Sequence, residues 1–361
     1  MTYNVSLLPG DGIGPEITAA TRRVLEATGM RFSWDVQQVG ADAMRTAGTT
    51  LPPEALASIR KHKVALMGPL TTPAGADPRS VDAALRQALG LDAWLRLCKR
   101  YAGTPGGNLK LDVVIVRENT VAGCARSEGE LGDPGSRNLS SSSEESGRKT
   151  AGPDAGSSVE TLSVQGAEAS ARFAFRYARE SGRRKVTAVT RTNSPTYGDG
   201  LFLEVFRAVA GEFSEIEPEE MTLDTVCLQL TQGPERCDVL VLPDACGDAL
   251  ADRCTRLGGG PGMAPGAKFG EDTALFAPMH GSAPRYAGMN KANPLAMILS
   301  GLLLLRHLKE FAAADRMEQA IADVIAEGKT VTYDMKADRN DTTAVGTSQV
   351  ADGIIAKLLS R

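Results

Sequence analysis

Apolar runs and amphipathic stretches alternate from the first residues of the chain. VSLL (5–8) reads as a buried strand, GDGIGPE (10–16) as the turn after it, and Pro15 to Ala27 as a helix. An extended FSWDVQQV (32–39), a helix starting near Pro53 and the apolar KVALMG (63–68) continue the pattern. Strands that alternate with helices in this way predict a mainly parallel sheet covered by helices, an α/β fold. Arg79 to Leu89 has helical periodicity, and DVVIVREN (112–119) is a short strand of the fully buried kind.

The pattern breaks between Arg126 and Val159. Here large apolar residues are scarce and Gly, Ser and Glu abound, as in GSRNLSSSSEESGRK, so the segment cannot form a core of its own. Regular structure resumes with a helix near 167–180, the strand KVTAVT, a helix over 200–210 and the strand CDVLVLP. A Gly-rich stretch, GGGPGMAPGAKFGED, precedes the long helix NPLAMILSGLLLLRHL and two further amphipathic helices. No internal repeat is visible.

At 361 residues the chain exceeds what one hydrophobic core usually supports, which predicts two domains or one large interdigitated unit. With 42% apolar residues and a net charge of -4, nothing points to nucleic acid or membrane. The N-terminal residues lack a signal-peptide pattern, and a cytoplasmic location is the expectation. Six scattered cysteines without a CxxC pair and three distant histidines argue against a zinc site or a disulfide framework. Chemistry therefore falls to carboxylates and arginines.

GDGIGPE departs from the GxGxxG dinucleotide fingerprint, and a tight strand-to-helix turn accounts for it, with Pro15 suited to a helix start. Ser80, Arg86 and Arg96 follow in the next third of the chain. Arginine forks suit a ligand with several carboxylates, although taken alone these side chains also read as solvated charges. Arg117 shifts that balance, because it directly follows an apolar strand. Asp248 and Asp252 are four apart, on one face of a helix, and Asp224 lies upstream. Oxygen-only donors suit Mg²⁺ or Mn²⁺, while acidic residues at a helix start are the simpler explanation.

Taken together, GDGIGPEI, GPLTTP, the SxxxxxR helix, VIVREN, DGLFLEVF, DVLVLPDACGDALAD, APGAKFGED and HGSAPRYAGMNKANPLAMILS resemble the metal-dependent β-decarboxylating dehydrogenases. That family comprises the isocitrate, homoisocitrate and isopropylmalate dehydrogenases, and the final motif looks most like the isocitrate members. The resemblance implies a two-domain fold, with a large domain from 1–98 and 254–361 and a small domain from 99–253. The segment near 126–160 would then be an arm that clasps a second subunit in a homodimer. It also implies that Arg86, Arg96 and Arg117 bind malate-type carboxylates, and that Asp248, Asp252 and Asp224 of the other subunit bind Mg²⁺ or Mn²⁺. His280, Gly281, Ser282, Ala283, Asn293, Tyr333 and Asp334 would hold the adenosine half of a nicotinamide cofactor. Arg285 and Tyr286 after HGSAP, with Tyr333, match a phosphate-binding pattern that favours NADP over NAD, although Ala337 stands where the family has a further arginine.

Three positions depart from the family. Cys124 stands where its tyrosine protonates the enol, and Arg191 where its lysine relays the hydroxyl proton. Arginine stays protonated and is a poor base, and a thiol donates hydrogen bonds weakly. Asp82 replaces the asparagine of the isocitrate-type SxN and is expected to repel a third carboxylate. The reading is therefore oxidative decarboxylation of a 3-substituted malate or isocitrate-like 2-hydroxy acid. Partial chemistry, such as metal-assisted decarboxylation or proton transfer without hydride transfer, is one alternative, and a non-catalytic regulatory subunit is the other.

Overall fold

The structure is a computed structural model that describes residues 1–71, 81–106, 109–119, 129–130, 156–157, 163–191 and 197–360. Ten strands form one sheet in the order β2-β1-β3-β12-β11-β4-β5-β10-β8-β9. The strands at one side are β1 (Thr2–Leu8), β2 (Arg31–Val36), β3 (Val64–Met67), β11 (Pro265–Phe269) and β12 (Ala274–Pro278). On the other side lie β4 (Ala93–Lys99), β5 (Asp112–Glu118), β8 (Lys185–Thr190), β9 (Glu217–Thr222) and β10 (Val239–Leu242). Two short strands, β6 (Gly129–Glu130) and β7 (Gly156–Ser157), pair separately.

Both flanks of the sheet are parallel, as the strand-helix alternation requires. Its centre is not. β12, β11, β4 and β5 pair antiparallel with one another; the sheet is mainly parallel, as expected, but its three central pairings are not ones that the strand-helix alternation predicts. The sequence of β4 and β11 explains the miss, since AWLRLCK and PGAKF carry cations, a proline and a glycine where a buried strand normally shows an apolar run.

One face of the sheet packs on α1 (Gly14–Ala27), α5 (Val164–Glu180), α6 (Tyr197–Ala210), α9 (Leu295–His307), α10 (Phe311–Glu327) and α11 (Thr347–Leu359). The opposite face meets α3 (Pro53–His62), α4 (Val81–Leu89), α7 (Leu223–Gln232) and α8 (Asp244–Leu257), with a short α2 (Ala41–Ala47) beyond. α9 is apolar all round and lies inside the core; among the described residues no helix is long and apolar enough to cross a membrane.

The GDGIGPE turn behaves as a strand-to-helix joint. Gly12 has φ +60, and a Cβ there would sit 2.1 Å from the Ser282 carbonyl oxygen, so only glycine allows the close approach. The Ile13 amide donates to that same oxygen at 2.9 Å, and Asp11 accepts from the amides of Ala41 and Thr71. The turn thus fixes the loop that carries HGSAP.

Candidate active site

Strand register assembles the site. Across the antiparallel centre Lys268 pairs with Trp94, and Trp94 with Arg117, so three side chains from three strands line up on one face. Arg96 lies two residues beyond Trp94 and shares that face. The opposite face carries Leu95, Val116 and Ala267 into the main core. The Trp94 ring lies 4.1 Å from the Arg117 guanidinium, 4.5 Å from the Lys268 amine and 4.7 Å from the Arg96 guanidinium. Each such contact is worth about 0.5–2 kcal/mol, which helps to hold three cations together away from water.

Those cations are 5–8% exposed and need anions. α8 supplies two of them. Arg96 reaches Asp248 through Nη2 at 3.0 Å and Asp252 through Nη1 at 2.9 Å, so one guanidinium bridges the carboxylates that share a helix face. Arg117 pairs with Asp248 as well. Burial pushes the Asp248 carboxyl up, but Arg117 and Arg96, with Arg86 behind them, outweigh it and hold it below the usual carboxylate range. The approach of α8 depends on Gly247, where a Cβ would stand 2.3 Å from Arg117 Cδ.

Asp82, in the first turn of α4, meets the third cation. Its carboxylate pairs with Lys268 and lies 3.7 Å from Arg86 Nε. Burial pulls the Lys268 ammonium below the usual lysine range, against the pull of Asp82. Arg86 also donates to Asn119 Oδ1 at 2.7 Å, and Asn119 ties back to the Leu91 carbonyl at 2.8 Å. The sequence reading treated Asp82 as a lone repelling carboxylate; the structure gives it two cationic neighbours.

A cavity of about 230 Å³ joins these groups to the HGSAP loop. Asp82, Trp94, Arg96 and Lys268 line one end, His280 the other, and Met67, Leu70, Val81, Leu275 and Met279 the walls between. His280 donates from Nδ1 to the Gly281 carbonyl at 2.9 Å, while its buried Nε2 has no hydrogen-bond partner among the described residues. Burial holds the ring below the usual histidine range, so it is neutral at pH 7. Asn293 accepts from the Leu295 amide and donates to Asp334 at 2.9 Å, and Thr332 donates to Asp334 at 2.6 Å. Tyr286 and Tyr333 share a hydrogen bond that raises the Tyr333 hydroxyl, with Arg339 nearby. Gly281, Ala283 and Arg285 are exposed, and Arg285 has no ion-pair partner among the described residues.

This geometry has known counterparts. The isocitrate/isopropylmalate dehydrogenase family model matches residues 4–354. The chain belongs to that family. It is 37% identical over 334 residues to the probable NAD isocitrate dehydrogenase subunit alpha, mitochondrial, of Drosophila melanogaster, covering 92% of this chain and 83% of that protein. It is 35% identical to the NADP isocitrate dehydrogenase of Thermus thermophilus, covering 97% of this chain and 67% of the other. The solved isocitrate dehydrogenase of Methylococcus capsulatus superposes with a TM-score of 0.85 at 38% identity, covering 99% of both chains. The protein is thus an oxidoreductase that acts on a CH–OH group with NAD or NADP.

The structure links Arg86 to Asp82, and Arg96 and Arg117 to Asp248, with Asp252 also on Arg96; of these six, Asp82 and Arg96 line the cavity. It keeps Arg191 and Asp224 elsewhere in the chain. Thr190 and Thr222 pair across β8 and β9, so Arg191 and Asp224 follow at the same corner of the sheet, both exposed. Arg191 Nε lies 4.0 Å from Asp199, and hydrogen bonds from Thr222 and Thr225 hold the Asp224 carboxyl low. Ser80 and Cys124 lie outside the described residues. Among the described residues no three His, Cys, Asp or Glu side chains gather as a metal cage. Two hard oxygen donors, Asp248 and Asp252, do share one arginine, and carboxylates are the donor type that suits Mg²⁺ or Mn²⁺. Lys268, Trp94 and Asn119 were missed from sequence; the signal was a lysine in the middle of the otherwise small and apolar PGAKF.

Proposed function

We propose that this chain catalyses NADP-dependent oxidative decarboxylation of a 3-substituted malate. The cavity that Asp82, Arg96 and Lys268 share with His280 supports the reading, since Arg96 also holds Asp248 and Asp252 and so links cations and oxygen donors to the cofactor loop. Asp248 and Asp252 would hold Mg²⁺ or Mn²⁺ with Asp224 of a second protomer, whose exposed corner also presents Arg191. When bound, the metal supplies Lewis acidity at the substrate hydroxyl and its neighbouring carboxylate.

Arg86, Arg96 and Arg117 grip the malate carboxylates, and the burial of Arg96 and Arg117 strengthens their hold on charge. Arg191 supplies a cation that stabilises negative charge on the substrate oxygen and, because a guanidinium is a poor base, leaves proton removal to water or hydroxide. The orphaned Nε2 of His280 offers the cofactor a buried hydrogen-bond position. Arg285 and the Tyr286–Tyr333 pair favour a 2′-phosphate on the adenosine ribose.

Absorbance of reduced cofactor, followed with Mn²⁺ and a panel of 3-substituted malates, tests the reading. Turnover of at least one member with a preference for NADP is expected; silence with every member and both cofactors overturns it. Arg285→Asp should shift the preference toward NAD, and an unchanged preference removes the NADP assignment.

A further inference from the structure

Arg96 and Arg117 are committed to Asp248 and Asp252, whereas Lys268 turns to Asp82 at the other side of Trp94. The Lys268 side chain is 7% exposed and that of Asp82 is 35%, so the cavity meets the carboxylate with the ammonium recessed behind it. Around them the walls are apolar: Met67, Leu70, Val81, Leu275 and Met279. Arg86, the other cation near Asp82, is needed for the malate carboxylates in the reading above. What remains for a third substituent is a neutral ion pair whose acceptor oxygens face the ligand.

We propose that the Asp82–Lys268 pair, with its lysine over the Trp94 ring, reads the third substituent of the substrate and selects an uncharged hydrogen-bond donor, a hydroxyl or carboxamide, on a short arm. The inference rests on the oxidative-decarboxylation reading and specifies its substrate class. Three kinds of substituent meet the pair differently. A carboxylate must compete with Asp82 for one ammonium and lie beside a like charge in a dry pocket. A plain alkyl group strips water from the Asp82 oxygens and returns no hydrogen bond. A hydroxyl or amide N–H donates to Asp82 and leaves Lys268 in place.

The test is kcat/KM, with saturating Mn²⁺ and NADP, for 3-(carbamoylmethyl)malate, isocitrate and 3-isopropylmalate. The amide is expected to exceed both others by roughly tenfold or more, the range that unpaired polar groups impose. Asp82→Asn frees the Lys268 ammonium and should move the amide-to-isocitrate ratio roughly tenfold toward isocitrate. The double variant Asp82→Asn, Lys268→Gln keeps the pocket neutral, should fold where the single one does not, and should lose the gain for isocitrate. A wild-type protein that uses isocitrate at least as well as the amide, or a ratio unmoved by Asp82→Asn, overturns the proposal. If none of the three compounds turns over, the oxidation reading falls. Calorimetry of their Mn²⁺-dependent binding then decides the subsite alone, equal affinities counting against it.

Discussion

Gly247→Ala separates the stability of the fold from the placement of Arg117. The added Cβ would lie 2.3 Å from Cδ and 2.6 Å from Cγ of Arg117, well inside van der Waals contact. That arginine has nowhere easy to go, because its side chain is 6% exposed, stacks on Trp94 and pairs with Asp248. Overpacking of this kind costs about 1–3 kcal/mol, and replacing a glycine within a helix returns about 1 kcal/mol. The net loss of stability is therefore about 0–2 kcal/mol, a Tm change of only a few degrees in a chain of this size. Function should suffer more. Displacing one charged hydrogen bond at the substrate costs about 1.5–3 kcal/mol, or roughly 10- to 150-fold in kcat/KM. Differential scanning fluorimetry and initial rates on the best malate of the panel read the two effects. A variant with unchanged Tm and kcat/KM within about twofold of wild type, below the 1.4 kcal/mol that tenfold represents, would refute this account of how α8 and β5 meet.

Gly12→Ala combines a backbone at φ +60 with a contact 2.1 Å from the Ser282 carbonyl, so the HGSAP loop must move; KM for the cofactor should rise about tenfold or more for each 1.4 kcal/mol of binding lost. An unchanged KM would show that the turn does not hold the loop. Mn²⁺ at about 100 times its Kd should stabilise the protein by about 2.7 kcal/mol, and Asp252→Asn should abolish most of the thermal shift; equal shifts in both would exclude Asp252 from the metal site. Glu318 accepts from Lys99 and Arg306, each at 2.6 Å, and burial that pushes its carboxyl up is outweighed by these two cations, so its folded pKa is depressed. A depressed carboxyl stabilises the fold above its unfolded value of 4.5, and that stability is lost as pH falls through the folded value. Glu318→Gln should therefore lower the urea midpoint at pH 7, by about 1–3 kcal/mol of stability, and converge on wild type in acid; a constant difference across pH would contradict the ion-pair explanation.

Much of the fold was legible because its flanks obey local rules. The Gly14–Ala27 and Pro53–His62 helices begin where proline and amphipathic periodicity place them, and Asp112–Glu118 is the short apolar strand that DVVIVREN describes. The antiparallel centre was illegible for the reason that makes it a site. Trp94, Arg96 and Lys268 occupy inward positions that an ordinary strand fills with apolar side chains, so pattern reading passed over β4 and β11. The four-residue spacing of Asp248 and Asp252 predicts a shared helix face, where two like charges repel. The structure supplies Arg96 from a strand 152 residues away in sequence from Asp248, a long-range partner that local spacing cannot reveal. Asp82 shows the same limit, because its meaning changed with one neighbour 186 residues distant.

Charge accounting links these observations to the proposed reaction. Arg86, Arg96, Arg117 and Lys268 face Asp82, Asp248 and Asp252, so the free site is close to neutral and its arginines and lysine can lie beneath exposed carboxylates. Were Asp248 and Asp252 to hold a divalent ion, Arg96 and Arg117, both buried, would lose their partners beside an added positive charge. Two carboxylates of a malate answer both deficits at once, whereas a monocarboxylate answers only one. The same accounting leaves the Asp82–Lys268 pair intact, since Asp82 keeps its lysine even where Arg86 turns to a carboxylate of the substrate. Selectivity at the third substituent can therefore be altered without dismantling the groups that bind the common malate core.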